Sequence, residues 1–197
     1  MLPNKEEKLD PRVKRTRQNI EQAFMELVKE RGFPAVNVRD ITDRAGINRA
    51  TFYAHFPDKF VLLDRYIQGN FRQEVDKRML HACQYSIDNL RELIVLVCEF
   101  VGNTHEHCPA IEQQFHSLVE AQVRAQVMAL LNHWLEDAEW PKNTGISPER
   151  AATAAGWVIY GLATEWSRAK HAPSAQQYAN EVLPLVAANL GIARQPA

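Results

Sequence analysis

The stretch from Asn48 to Lys59 carries residue types at a spacing suited to hydrogen bonding with a polyanion and with the edges of bases. On a helix opened by Asn48, the residues Arg49, Thr51, Tyr53 and His55 form an outward set, opposite Ile41, Ile47 and Phe52, which pack inward. Arg49 offers a fork that matches a guanine edge, Thr51 a methyl and a hydroxyl, and Tyr53 and His55 groups suited to phosphates. Lys59 opens the next helix, within reach of a nucleic-acid backbone, and the run Arg12, Lys14, Arg15 and Arg17 adds charge upstream. A second cluster, His105-Glu106-His107-Cys108 with His116 beyond it, holds imidazole and thiolate ligand types. Side chains two apart splay by about 200° on a helix, so His105 and His107 could share a metal only within a turn. The cluster is read as a solvated loop or a pocket rim, with no metal and no cofactor assigned.

Several elements must position the first set. A helix-turn-helix needs a short helix, a small residue, a residue that tolerates positive φ and an apolar anchor, and Ala45-Gly46-Ile47 has that order. Asn37 is placed to cap the short helix, with Asp40 three residues on, and Asn48 to cap the one after the turn. Asp10-Pro11 opens an earlier helix whose apolar residues Ile20, Ala23, Phe24, Leu27 and Val28 recur at helical spacing up to Gly32. Pro57-Asp58 starts a connector with Phe60, Leu63, Ile67, Phe71 and Val75 on one stripe.

Beyond the connector, Leu90 to Val101 is apolar at almost every position, the mark of a helix surrounded by others. A further stretch carries Phe115 to Leu135, Ser147-Pro148 opens a helix running to about residue 170, and Ser174 to Gln177 is a capping box before a last helix containing Pro184. With no alternating β-branched pattern anywhere, the fold class is all-α, about nine helices.

The chain has 197 residues, 46% hydrophobic and 24% charged, with a formal net charge of -1, the composition of a globular protein with a substantial core. That near-neutral total hides a division. Residues 1–80 hold 16 Lys and Arg against 12 Asp and Glu, whereas residues 81–197 hold 7 against 12, so only the first part suits a polyanion. Cys83, Cys98 and Cys108 show no paired spacing and are read as reduced thiols. The longest apolar run, Leu93 to Cys98, is far short of the ~20 residues that span a bilayer, and the polar start lacks a signal peptide's apolar region, so no membrane association and a cytoplasmic location are expected. No Gly-rich phosphate loop, nucleophile motif or H-E-x-x-H is present, and no enzymatic activity is expected.

Together, Arg31-Gly32-Phe33, Val38-Arg39-Asp40-Ile41 with Ala45-Gly46-Ile47, and Thr51-Phe52-Tyr53-Ala54-His55-Phe56-Pro57-Asp58-Lys59 resemble the N-terminal pattern of the tetracycline-repressor (TetR) family of bacterial transcriptional regulators. The resemblance runs from about residue 12 to residue 63. It implies a helix-turn-helix DNA-binding domain over 1–57, a connector helix over 58–80 and a helical effector-binding and dimerisation domain over 81–197. It also implies a recognition helix over Asn48 to Phe56, backbone contacts from Tyr53 and Lys59, and phosphate contacts from Thr16, Arg17 and Asn37, so that the DNA-binding set is Arg17, Asn37, Asn48, Arg49, Ala50, Thr51, Tyr53, His55 and Lys59. Asn37 stands where the family more often has Thr or Ser, and Arg49-Ala50 where Lys-Gly or Pro-Gly is commoner.

The function this implies is a ligand-responsive transcriptional regulator, a repressor that binds a palindromic operator as a homodimer and is released by a small-molecule effector. The alternative is an interaction protein or co-regulator that keeps the fold without operator binding. The Ala- and Gly-rich helix from Ser147 and the last helix are the expected dimer interface, since half-sites about 34 Å apart call for a symmetric pair. Inward residues Cys98, Phe100, Phe115, Val119, Trp134, Trp157 and Tyr160 are the candidate effector pocket, suited to a flat apolar ligand.

Overall fold

The computed structural model describes residues 10–79, 85–107, 113–136 and 145–190. Over these it is all-α: α1 (Pro11–Arg31), α2 (Val38–Ala45), α3 (Arg49–His55), α4 (Lys59–Met79), α5 (Ile87–His107), α6 (Gln113–Glu136), α7 (Pro148–Arg168) and α8 (Ala175–Asn189). No helix among the described residues is long and apolar enough to cross a membrane. The chain forms two compact units: of the described residues, the first contains 10–66 and 113–115 and the second 67–107, 116–136 and 145–190.

In the first unit, the head, each helix starts where a side chain can satisfy the free N–H groups of its first turn. Asp10 accepts from the amide of Arg12, and Asp58 accepts from those of Phe60 and Val61. The inward stripe of α1, Ile20, Phe24, Leu27 and Val28, meets Phe33, Val36, Ile41, Phe52, Phe56, Leu62 and Leu63 in one buried core. Phe24 and Phe33 pack edge to face, 6.0 Å between centroids, and Phe52 and Phe56 lie 6.0 Å apart. Two expectations shift here. Phe60 is 43% exposed, because it lies over Phe33, while Leu62, on another face of α4, is fully buried. Ile47 is only half-buried.

In the second unit, the body, α5 is central as its composition requires. Leu90, Leu93 to Cys98 and Val101 are all buried, with α7 and α8 packed on it. The C-terminal half of α4 joins the same unit through an edge-to-face pair of Phe71 with Phe100 at 5.3 Å, a hydrogen bond from Gln68 to Gln122 on α6, and an ion pair of Arg78 with Glu99. Where α6 meets α7, a Cβ on Gly156 would lie 2.7 Å from Cγ of Met128, so this glycine is what allows the two helices to approach. Ala151, Ala152, Ala155, Gly156 and Ala163 are buried within their own chain; of the small residues read as a dimer face, Ala154 and Gly161 are exposed.

Candidate nucleic-acid interface

The interface is built outward from α2 and α3. Asn37 and Asp40 form a reciprocal capping box, Asn37 Oδ1 accepting from the amide of Asp40 at 3.1 Å and Asp40 Oδ2 from that of Asn37 at 3.0 Å. At the other end Gly46 has φ 65° and ψ 35°, and the amide of Ile47 donates to the carbonyl of Thr42 at 3.0 Å. A Cβ at Gly46 would meet nothing within 4 Å, so the backbone angle alone calls for glycine there. Inside the turn, Thr42 is 2% exposed and its hydroxyl donates to the carbonyl of Arg39, which removes the cost of burying it.

α3 begins at Asn48, whose Oδ1 accepts from both the amide and the hydroxyl of Thr51, at 2.7 and 3.0 Å. Changing Asn48 to Ala leaves that amide without its partner and should cost about 1 kcal/mol of head stability. Thermal denaturation followed by circular dichroism reads this directly, and an unchanged midpoint would show that the cap contributes nothing.

Beyond the cap, Arg49, Ala50, Tyr53 and Ala54 are exposed, with Tyr53 at 51%. Arg49 has no ion pair among the described residues, so its guanidinium is available to a ligand. Thr51 is half-buried, its hydroxyl proton committed to Asn48, which leaves its methyl and an oxygen lone pair for contact. His55 is half-buried; burial first, and the Arg17 guanidinium second, hold its pKa below the ordinary imidazole value. The head on its own therefore favours the neutral imidazole. Arg17, also half-buried, keeps its Nε without a hydrogen-bond partner among the described residues. Asn37 is exposed beside its capping role, and Thr16 donates to the carbonyl of Arg12.

Not all of the head's positive charge is on offer. Arg44 lies on Glu30 through two bonds of 2.8 Å and on Glu26 at 3.4 Å, which ties α2 to α1, and Arg31 lies 3.6 Å from Asp40. The same pairing holds the Glu30 carboxyl below its ordinary range. Lys59 is half-buried and donates to the carbonyls of Phe33, Pro34 and Val36. The exposed Arg12, Lys14 and Arg15 form no ion pair among the described residues and add to the charge of Arg49. Ala54, outside the outward set expected from the sequence, is also exposed on α3, two residues beyond the buried Phe52.

The candidate effector residues differ in burial. Cys98, Val119 and Trp134 are buried, and Phe100 and Tyr160 are half-buried. Trp157, expected inward, is 53% exposed, because it lies about 200° around α7 from the buried Ala155 and Ile159. The Arg124 guanidinium stacks on its ring at 3.4 Å. The side chains of Phe115, His105, His107 and His116, and all of Cys83 and Cys108, lie outside the described residues. Burial in the apolar interior, with the Glu99 charge beside it, pushes the Cys98 thiol up to about 12, so it is a protonated core group. Trp134 Nε1 is buried without a hydrogen-bond partner among the described residues. A groove of about 550 Å³ that the sequence did not reveal is lined by Glu99, Gly102 and Asn103 of α5 and by Trp166, Ser167, Ala169 and Ala172. A Cβ on Gly102 would lie 3.0 Å from the Trp166 ring, and Trp166 Nε1 donates to the carbonyl of Pro173.

Residues 20–66 match the family described as bacterial regulatory proteins, tetR family. An uncharacterized HTH-type transcriptional regulator of Bacillus subtilis, YxbF, is 28% identical over 102 residues, which is 50% of this chain and 27% of the relative's length. Among solved structures, the fatty acid degradation regulator FadR from Bacillus halodurans superposes with a TM-score of 0.59 at 17% identity, covering 96% of this chain and 100% of that one. The regulator RolR, solved with resorcinol, gives 0.54 at 21% identity over 94% and 96% of the two chains. These likenesses extend the shared fold from the head to nearly the whole chain.

Proposed function

We infer, from a head whose residues 20–66 match the tetR family and a whole-chain fold shared with solved regulators, that this chain is a DNA-binding transcriptional regulator acting as a ligand-released repressor. The observation that carries the reading is α3 itself: a capped, seven-residue helix, set by the Gly46 turn, presents an unpaired Arg49 beside Ala50, Tyr53 and Ala54. The small exposed residues Ala50 and Ala54 let the helix enter a major groove closely, and Arg49 can then fork onto a guanine. Tyr53, Asn37, Arg17 and His55 supply hydrogen bonds to the backbone, and the exposed run on α1 supplies charge.

The test is fluorescence anisotropy with duplex from upstream of the protein's own gene and a scrambled duplex, across about 50 to 200 mM salt. Selective binding that weakens steeply with salt is the expected result. Equal, weak binding to these and to duplexes from a random-sequence selection would defeat the reading. Within that assay Arg49→Ala should weaken the selected duplex by ~1 to 3 kcal/mol and relax preference at a single base pair.

The connector offers a route for effector release. α4 runs without interruption from the head into the body, where Phe71 packs on Phe100 and Arg78 pairs with Glu99 on the central α5. A small molecule that binds one arrangement of α5 better than another therefore biases α4, and through it the heads. A coupling of about 1 to 3 kcal/mol changes operator affinity roughly 5- to 150-fold. The resorcinol bound by RolR supports a small organic molecule as effector.

A further inference from the structure

Lys59 stands at the position from which the family resemblance expects a phosphate contact, yet its surroundings describe another occupation. An ammonium group has three N–H donors, and the carbonyls of Phe33, Pro34 and Val36 lie at 3.1, 3.3 and 2.7 Å from Nζ. The same nitrogen lies 4.5 Å from the centroid of Phe33 and 5.7 Å from that of Phe60, so the charge is also covered by two aromatic rings. A phosphate could be contacted only by giving up at least one of these bonds.

The three carbonyls belong to the turn between α1 and the Asn37 cap of α2. Lys59 is the first residue of α4, directly after the segment that contains α2, the Gly46 turn and α3. Its ammonium therefore joins the two ends of the helix-turn-helix segment, 23 residues apart at the Val36 carbonyl. Both helices hang between those fixed ends. We propose that Lys59 is a positioning residue: it closes the helix-turn-helix segment into a ring and so sets the angle at which α3 meets DNA, without touching a phosphate itself. The DNA part of this proposal rests on the regulator reading above.

A phosphate contact and a clasp respond oppositely to two substitutions. Arginine keeps the charge, but its planar fork cannot aim three donors at carbonyls gathered around one point. The full-length protein is compared as wild type, Lys59→Met and Lys59→Arg at a temperature where circular dichroism shows all three folded, using a duplex selected by the wild type from a random pool and a scrambled duplex. A clasp requires that both variants lose about tenfold on the selected duplex, the scale of one lost base contact, with little change on the scrambled one and the same salt slope. Amide hydrogen exchange at Val36 and through α2 should quicken in both. Rescue by Lys59→Arg, with equal weakening on both duplexes and a salt slope flatter by about 1 in Lys59→Met, would overturn the proposal in favour of a phosphate contact. Full affinity in folded variants would overturn it in favour of a merely structural lysine. If the wild type selects no duplex, the regulator reading and the DNA arm fall together, while unchanged exchange in the variants is what would defeat the clasp itself.

Discussion

Phe52→Ala is expected to abolish duplex binding while leaving the body helical. The ring is fully buried at the centre of the head, packed edge to face on Tyr53 at 5.5 Å and against Phe56, and it is the residue that seats α3 on the core. Removing a buried phenyl group costs about 3 to 5 kcal/mol, because its transfer free energy is lost and a cavity remains. The head is a compact unit with its own small core, and folded domains retain only about 5 to 15 kcal/mol in all. That substitution therefore consumes much of what holds the head together. Thermal unfolding should separate into an early, small loss of helix from the head and a later transition from the body. Phe52→Leu, which refills most of the volume, should restore most of the binding. Phe52→Ala protein that binds the selected duplex within twofold of the wild type would show that α3 is held by something other than this ring.

What could be read from the sequence divides by the range of the interaction. The Asn37–Asp40 capping box, the Asn48 cap and the Gly46 turn are interactions over two to five residues, and residue types at fixed offsets announce them. The centrality of α5 is equally legible, because a helix apolar on every side has to be covered on every side. Lys59 shows the limit. Its partners lie 23 to 26 residues away, and no local pattern says that an exposed-looking lysine at a helix start folds back over Phe33. Arg44 is similar: it counts towards the basic excess of the head, yet Glu26 and Glu30 hold it against α1. The aromatic residues mislead for a different reason. Trp157 is apolar by type but falls outside the buried stripe of α7, whereas Phe60 is in phase with the buried Ile67 and Phe71 and is exposed because, in the first turn of α4, it lies over Phe33. The groove beside Trp166 needs the chain after α7 to return over α5, which only the tertiary fold supplies.

The same phase argument separates two glycines on α7 and leads to the strongest test of assembly. Gly156 is demanded by its own chain, since Met128 occupies the space a side chain would need, whereas a Cβ on the exposed Gly161 would meet nothing within 4 Å. Gly161 shares an outward stripe with Ala154 and Trp157, and α8 leaves Leu185 54% exposed. A monomer gains nothing from exposing Trp157 beside a helix-weakening glycine, or Leu185 on α8; a second copy would cover the apolar side chains and use the missing Cβ for close helix contact. On the proposal that the protein is a homodimer, Gly161→Leu should leave each chain at least as stable. Replacing glycine inside a helix favours the helix by up to about 1 kcal/mol, and the open space accepts the side chain. The substitution should nevertheless split the dimer, as should Leu185→Asp. Loss of the pair removes the effective concentration that links two half-sites, so operator affinity should fall by roughly 100-fold or more. Light scattering at micromolar protein, melting curves and anisotropy on the same samples decide the matter: a monomeric wild type, or a Gly161→Leu protein that remains paired, would place this stripe outside any interface between copies.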